Sequence, residues 1–236
     1  MTRRILTIFC GLAMVLGAST LVTAPQAQAA GCPNVEVISA RGTLEPGAPM
    51  GLTGLAFAAA VRSTLPGKSV REYGVPYPAS GNFANRLAFA HEVLNGIKVT
   101  QNRIKYLAAT CPRTRIVLSG YSQGAVVIGY ALNPGISVPA QYERYRRYAP
   151  ARLPASVAKH VASVVLFAPP SARFIRGAGA PPVQIDRLYA RKTVRYCIPG
   201  DTICNGAPLG RPNALHVLYT VNGDALAGAR FTAAHL

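Results

Sequence analysis

Tryptophan is absent from the 236 residues, and the chain has only 8 acidic side chains and 4 histidines. There is no glycine period and no internal repeat, which excludes collagen-like and Trp-rich repeat architectures. Charged residues make up 14% of the chain and hydrophobic ones 50%. A disordered chain needs the opposite balance, so that class is excluded as well. Beyond the first thirty residues no apolar run approaches the roughly 20 residues that a membrane span requires. The histidines are scattered and the late Cys-x6-Cys pair does not match the common zinc spacings, so neither a metal nor a cofactor is implied. What is plentiful is positive charge: 25 Lys+Arg give a formal charge of +17. Nucleic acid is not the expected partner, because no recognition motif accompanies the charge.

The amino terminus reads as an address. Arg3 and Arg4 precede an apolar stretch from Ile5 to Val22, and Ala27-x-Ala29 supplies a small-residue cleavage pattern. Residues 1–29 are therefore expected to be a signal peptide, and residues 30–236 a single domain exported from the cell. A membrane anchor is the competing reading, and the cleavage pattern favours the leader. Cys10 leaves with the leader, and four cysteines remain. An even count in an exported chain implies two disulfides.

From Val35 onward, β-branched runs alternate with longer helical segments. Strands are expected at 35–40, 69–75, 115–119, 161–167 and 193–197, with helices at 51–65, 82–109, 123–132 and 214–233, the last broken near Gly223. This rhythm implies one parallel sheet covered by helices on both faces. Cys32 and Cys111 then precede the first and third strands at the same end of the sheet, which favours Cys32–Cys111 and Cys197–Cys204 pairing. The long loop is worth about 4–5 kcal/mol in the chain-entropy model, and the short one about 2–3 kcal/mol. Residues 173–182 read as a surface loop. The stretch 134–154, with Tyr142, Arg144, Arg146, Arg147 and Tyr148, reads as an irregular basic insertion.

The chemistry concentrates at Gly120-Tyr-Ser122-Gln-Gly124, placed directly after an apolar strand and directly before a helix. That context is the nucleophile elbow. A serine so placed needs a base and an orienting carboxylate. His91 lies within a helix before the elbow, His160 at the opposite sheet end, and His235 at the extreme terminus, so His216 is the candidate base. Asp186 falls at the wrong end of the fifth strand and Asp224 comes after the histidine. That leaves Asp201, inside the Cys197–Cys204 clip. Oxyanion donors are expected from the Gln123 amide and from Thr43, in the loop after the first strand.

These motifs, Ala40-Arg-Gly-Thr43, the elbow, the Cys-Ile-Pro-Gly-Asp-Thr-Ile-Cys clip and the late His216, resemble the cutinase family, and most of all the secreted cutinase-like esterases of mycobacteria and related actinobacteria. The resemblance implies a small α/β-hydrolase with a five-stranded parallel sheet and no large cap domain. It implies Ser122, Asp201 and His216 as the triad, and Thr43 and Gln123 at the oxyanion. The implied substrates are carboxylic esters of short to medium acyl chains, or lipids. A monomer is expected, with peripheral contact to an anionic membrane or envelope through residues 142–148. A thioesterase or acyltransferase, or a catalytically weak envelope-associated binding protein, remains compatible with the same residues. Three features depart from the family pattern: Phe167-Ala-Pro-Pro170 where many members carry a Gly-Asn-Pro-like sequence, the long basic stretch 134–154, and Thr43 in place of the serine of fungal members.

Overall fold

The structure, a computed structural model, describes residues 31–136, 138 and 140–236, the side chains of Gln141 and Tyr142 excepted. The expected leader at 1–29 lies outside the described residues, as do Ser137 and Pro139 in the basic insertion.

Five strands, β1 (Val35–Ala40), β2 (Val70–Gly74), β3 (Arg115–Tyr121), β4 (Val161–Phe167) and β5 (Thr193–Tyr196), form one sheet in the order β2-β1-β3-β4-β5. Every pairing is parallel. The three inner strands have near-continuous apolar sequences because both of their faces are covered, and all but the first residue of β3 are buried. The edge strands β2 and β5 are only partly buried, and they carry the charged residues Arg71, Glu72 and Arg195.

Alternation along the strands divides the core in two. Ile38, Leu118 and Leu166 pack under α2 (Arg86–Thr110) and α3 (Gln123–Ala131). Val37, Val117 and Val165 pack with Phe57 of α1 (Leu52–Thr64) and Ala229 of α6 (Asp224–Ala233). The one acidic residue of the inner strands, Glu36, is fully buried, and Arg103 of α2 grips it with bonds of 2.6 and 2.7 Å. Breaking such a pair from one side costs about 3–5 kcal/mol, so this contact locks α2 to β1.

The chain turns one way from β1 to β2 and the other way from β3 to β4. The carboxyl ends of β1 and β3 therefore flank the topological switch point, where open α/β sheets bind ligands. Ser122 follows β3 there, and Thr43 follows β1.

Several segments differ from the sequence reading. The loop expected at 173–182 begins instead within a short helix, α4 (Ala172–Gly177), capped by the Ser171 side chain, which accepts from the Phe174 amide. The insertion contains a 3-10 helix at Ala140–Tyr148. The last helical stretch splits into a 3-10 turn, Ala214–Thr220, and α6, with Gly223 at φ 94° between them. That conformation favours glycine and ends the first segment. His160 closes a 3-10 turn directly before β4, at the sheet end away from Ser122. Another short helix, α5 (Arg187–Ala190), starts at Asp186. Asp186 is buried, caps that helix and pairs with Arg152 at 2.7 Å, which accounts for it structurally. The cysteines are bonded as Cys32–Cys111 and Cys197–Cys204.

Candidate active site

Ser122 sits at φ 51°, ψ −116° between β3 and α3. A non-glycine residue in that region is strained. The turn holds because its neighbours allow no other path. The Ser122 amide donates to the Phe167 carbonyl at 3.0 Å. A Cβ at Gly124 would stand 1.9 Å from the Ala40 carbonyl oxygen, and one at Gly120 would stand 2.4 Å from the Gly124 oxygen. Both glycines are therefore required by backbone contacts, and the close approach brings the end of β1 against the start of α3.

Nε2 of His216 lies 2.9 Å from Oγ of Ser122. Nδ1 of His216 lies 2.9 and 3.1 Å from the two Asp201 carboxylate oxygens. Asp201 is fully buried and His216 nearly so. The structure thus brings together three side chains separated by as many as 94 positions in the chain. The disulfide clip and Gly200, at φ 92°, fold residues 197–204 back on themselves. The Ile203 amide then donates to Asp201 Oδ1 at 2.9 Å, and the Asn213 side chain ties the loop to the histidine segment through the Gly200 carbonyl.

Two tyrosines that the sequence reading passed over complete the framework. The Tyr219 hydroxyl donates to Asp201 Oδ2 at 2.8 Å and accepts from the Ile198 amide at 2.8 Å. Burial, chiefly, pushes its pKa well above the ordinary phenol value, so it remains a donor. Tyr121 donates to the His216 carbonyl at 2.5 Å, and its ring lies 5.2 Å from the imidazole. The His-x-x-Tyr spacing sets Tyr219 about one helical turn from His216, and this was a readable signal for the first of the two. The Ile203 amide and the Tyr219 hydroxyl both bring hydrogens to Asp201, which suits an acceptor-only carboxylate. This arrangement favours the imidazole tautomer with its proton on Nδ1, leaving Nε2 free to accept from the serine.

The loop after β1 is held by a residue that sequence reading also missed. The Glu45 carboxylate accepts from the Gly42 and Thr53 amides, each at 2.7 Å. Arg41 donates to the Glu45 and Pro78 carbonyls, and Tyr77 donates to the Arg41 carbonyl. The Leu44 amide donates to the Ala79 carbonyl at 2.8 Å. Thr43 lies partly exposed within this fixed loop. Gln123 is the first residue of α3, where helix amides have no intrahelical partner and the helix dipole favours negative charge. The two candidate oxyanion positions therefore follow the neighbouring strands β1 and β3 at the switch point.

Exposed apolar side chains stand next in sequence to candidate site residues: Leu44 after Thr43, and Val217 and Leu218 after His216. Leu44 is 72% exposed and Val217 67% exposed.

The profile of a family described as "Cutinase" matches residues 31–236. Among curated proteins, "Probable carboxylesterase Culp7" of Mycobacterium tuberculosis is 43% identical over 74% of this chain and 89% of its own length. "Phospholipase Culp4" of the same organism is 35% identical over 95% of this chain and 90% of its own. Among solved structures, a Trichoderma reesei cutinase in complex with a phosphonate inhibitor superposes with a TM-score of 0.63 at 30% identity, covering 86% of this chain and 76% of that one.

Proposed function

The chain belongs to the cutinase family, and from that premise we propose that it is a secreted serine esterase that cleaves carboxylic esters through an acyl-enzyme. The observation that carries this reading is the unbroken hydrogen-bonded path from Ser122 Oγ through His216 to Asp201, at the carboxyl edge of β3. His216 takes the serine proton at Nε2 as Oγ attacks the ester carbonyl. Asp201 holds the imidazole in register and stabilises its charged form. The developing oxyanion is met by the Gln123 amide and by Thr43, and one such donor is typically worth about 100- to 1,000-fold in rate. The alcohol leaves with the proton from His216. Water, deprotonated by the same imidazole, then releases the acid.

Export is supported by the leader-like residues 1–29 and by the two disulfides, which persist in oxidising compartments. Residues 30–236 are then the working enzyme, as one hydrolase domain. The apolar residues around the serine favour acyl chains over small polar esters. Lipid is a suitable source of such chains, and the basic surface suits an anionic envelope. In the 3-10 helix of the insertion, Arg144 and Arg147 stack on Tyr145 and Tyr148 at 4.8 and 4.9 Å, while Arg146 is paired with Glu143. The arginine–tyrosine pairs would supply the contact.

A p-nitrophenyl ester series from acetate to palmitate, run beside a phospholipid and a thioester, tests the substrate reading. The expected result is a maximum at short to medium chains, with the oxygen esters cleaved faster than the thioester. A profile highest on the thioester would overturn the esterase assignment.

A further inference from the structure

We propose that the protein carries a second binding site, for a single acyl chain with an anionic head, in a cleft that none of the three proposed catalytic residues lines. The cleft has a volume of about 490 Å³. It opens beside the first turn of α3 and runs along the ends of β4 and β5, and the Cys197–Cys204 disulfide forms one wall. Val126, Leu166, Ile175 and Val183 give it apolar walls. Its size falls within the range of roughly 300–1,000 Å³ typical of small-molecule sites.

The segment after β4, Phe167-Ala-Pro-Pro170, contributes to this cleft. Ala168 is buried at φ 46° and its amide donates to the Tyr196 carbonyl at 2.8 Å. That turn directs Pro169 and Pro170 into the lining. Two consecutive prolines and a disulfide give walls with few internal rotations, so the shape exists before any ligand arrives and little ordering entropy is lost on binding.

Two guanidinium groups define the head. Arg176, from α4, and Arg195, from β5, both line the cleft. No acidic residue lines it, and neither arginine has a carboxylate partner among the described residues. Most acidic side chains of this protein are already committed to other partners, such as Glu36 to Arg103 and Asp186 to Arg152. Arginine forks match carboxylate and phosphate geometry through paired donors. An apolar trough with two such forks suits one chain ending in an anion. A fatty acid, the product class of ester hydrolysis, has this chemistry, and so does an alkyl phosphate.

Calorimetric titration of the Ser122→Ala protein with laurate below its micelle concentration tests the site, with dodecyl phosphate and dodecanol as parallel ligands. Laurate is expected to bind, and dodecanol to bind at least about tenfold more weakly, as expected for the loss of charge-assisted hydrogen bonds. In a variant that also carries Arg176→Gln and Arg195→Gln, laurate affinity should fall by about tenfold or more. The same two changes in an otherwise native chain should leave p-nitrophenyl butyrate turnover unchanged. Dodecyl phosphate binding more tightly than laurate would keep the site but assign its head to phosphate. Equal laurate affinity with and without the two arginines would overturn the proposal, because the chain would then be bound elsewhere, the serine site included. Absence of laurate and alkyl phosphate binding would overturn it as well. The ester assay reads the proposed catalytic function separately, so failure of one reading leaves the other standing.

Discussion

Ser122→Ala is expected to lower kcat on p-nitrophenyl butyrate by about 10⁴-fold or more while leaving the melting temperature within a few degrees of the native value. The hydroxyl is the attacking atom, and alanine offers no substitute. The residual rate should still exceed that of water, because the Gln123 amide, the Thr43 loop and the binding surface remain in place. Stability should scarcely change, because the elbow is fixed by Gly120, Gly124 and the Ser122 amide, none of which needs the hydroxyl. Steady-state kinetics and a thermal melt on the same preparation check both halves. Native-like activity in a folded variant would remove Ser122 from the chemistry.

Asp201→Asn should have the second largest effect, about 10⁴-fold in kcat by analogy with other serine triads. The local geometry says why. Asp201 accepts from the Ile203 amide and the Tyr219 hydroxyl as well as facing Nδ1 of His216. An amide nitrogen in that cage must point at a donor. The least disruptive escape is for His216 to present Nδ1 as an acceptor, which puts its proton on Nε2 and blocks the serine. Tyr219→Phe removes one donor and keeps the ring. It should cost only about tenfold, in line with the loss of one hydrogen bond to a charged group. The loss should fall on kcat with KM little changed, because the hydroxyl acts on Asp201 and not on the substrate. A tyrosine with a packing role alone would lower stability without this loss in kcat.

The elements that could be read from the sequence were those whose physics is local. β1, β3 and β4 are apolar almost without interruption, and both faces of each are buried. The elbow was legible because Gly-x-Ser-x-Gly between an apolar strand and a helix admits few conformations. Asp201 and His216 emerged by elimination, since the chain has only three aspartates and four histidines. Other features carry no motif of their own. Glu45 fixes the Thr43 loop by accepting two amides, 3 and 8 positions away, which meet its carboxylate only once the loop has folded. The Tyr219 hydroxyl meets Asp201 only after the clip and the 214–220 turn come together, 18 positions apart in the chain. The α4 helix was hidden in a Gly/Pro-rich stretch, because a single serine cap at its start outweighed the helix-breaking residues beyond it. The role of Pro169 and Pro170 was invisible without the cleft they line.

As the nucleophile of an acyl-transfer site, Ser122 should react with a fluorophosphonate ester, which mass spectrometry of the whole protein combined with peptide mapping reads out. One adduct per chain is expected, on Ser122, formed in step with loss of esterase activity and absent from the Asp201→Asn variant on the same timescale. An inactivating adduct on any other residue, or undiminished hydrolysis by a protein fully labelled at Ser122, would contradict it.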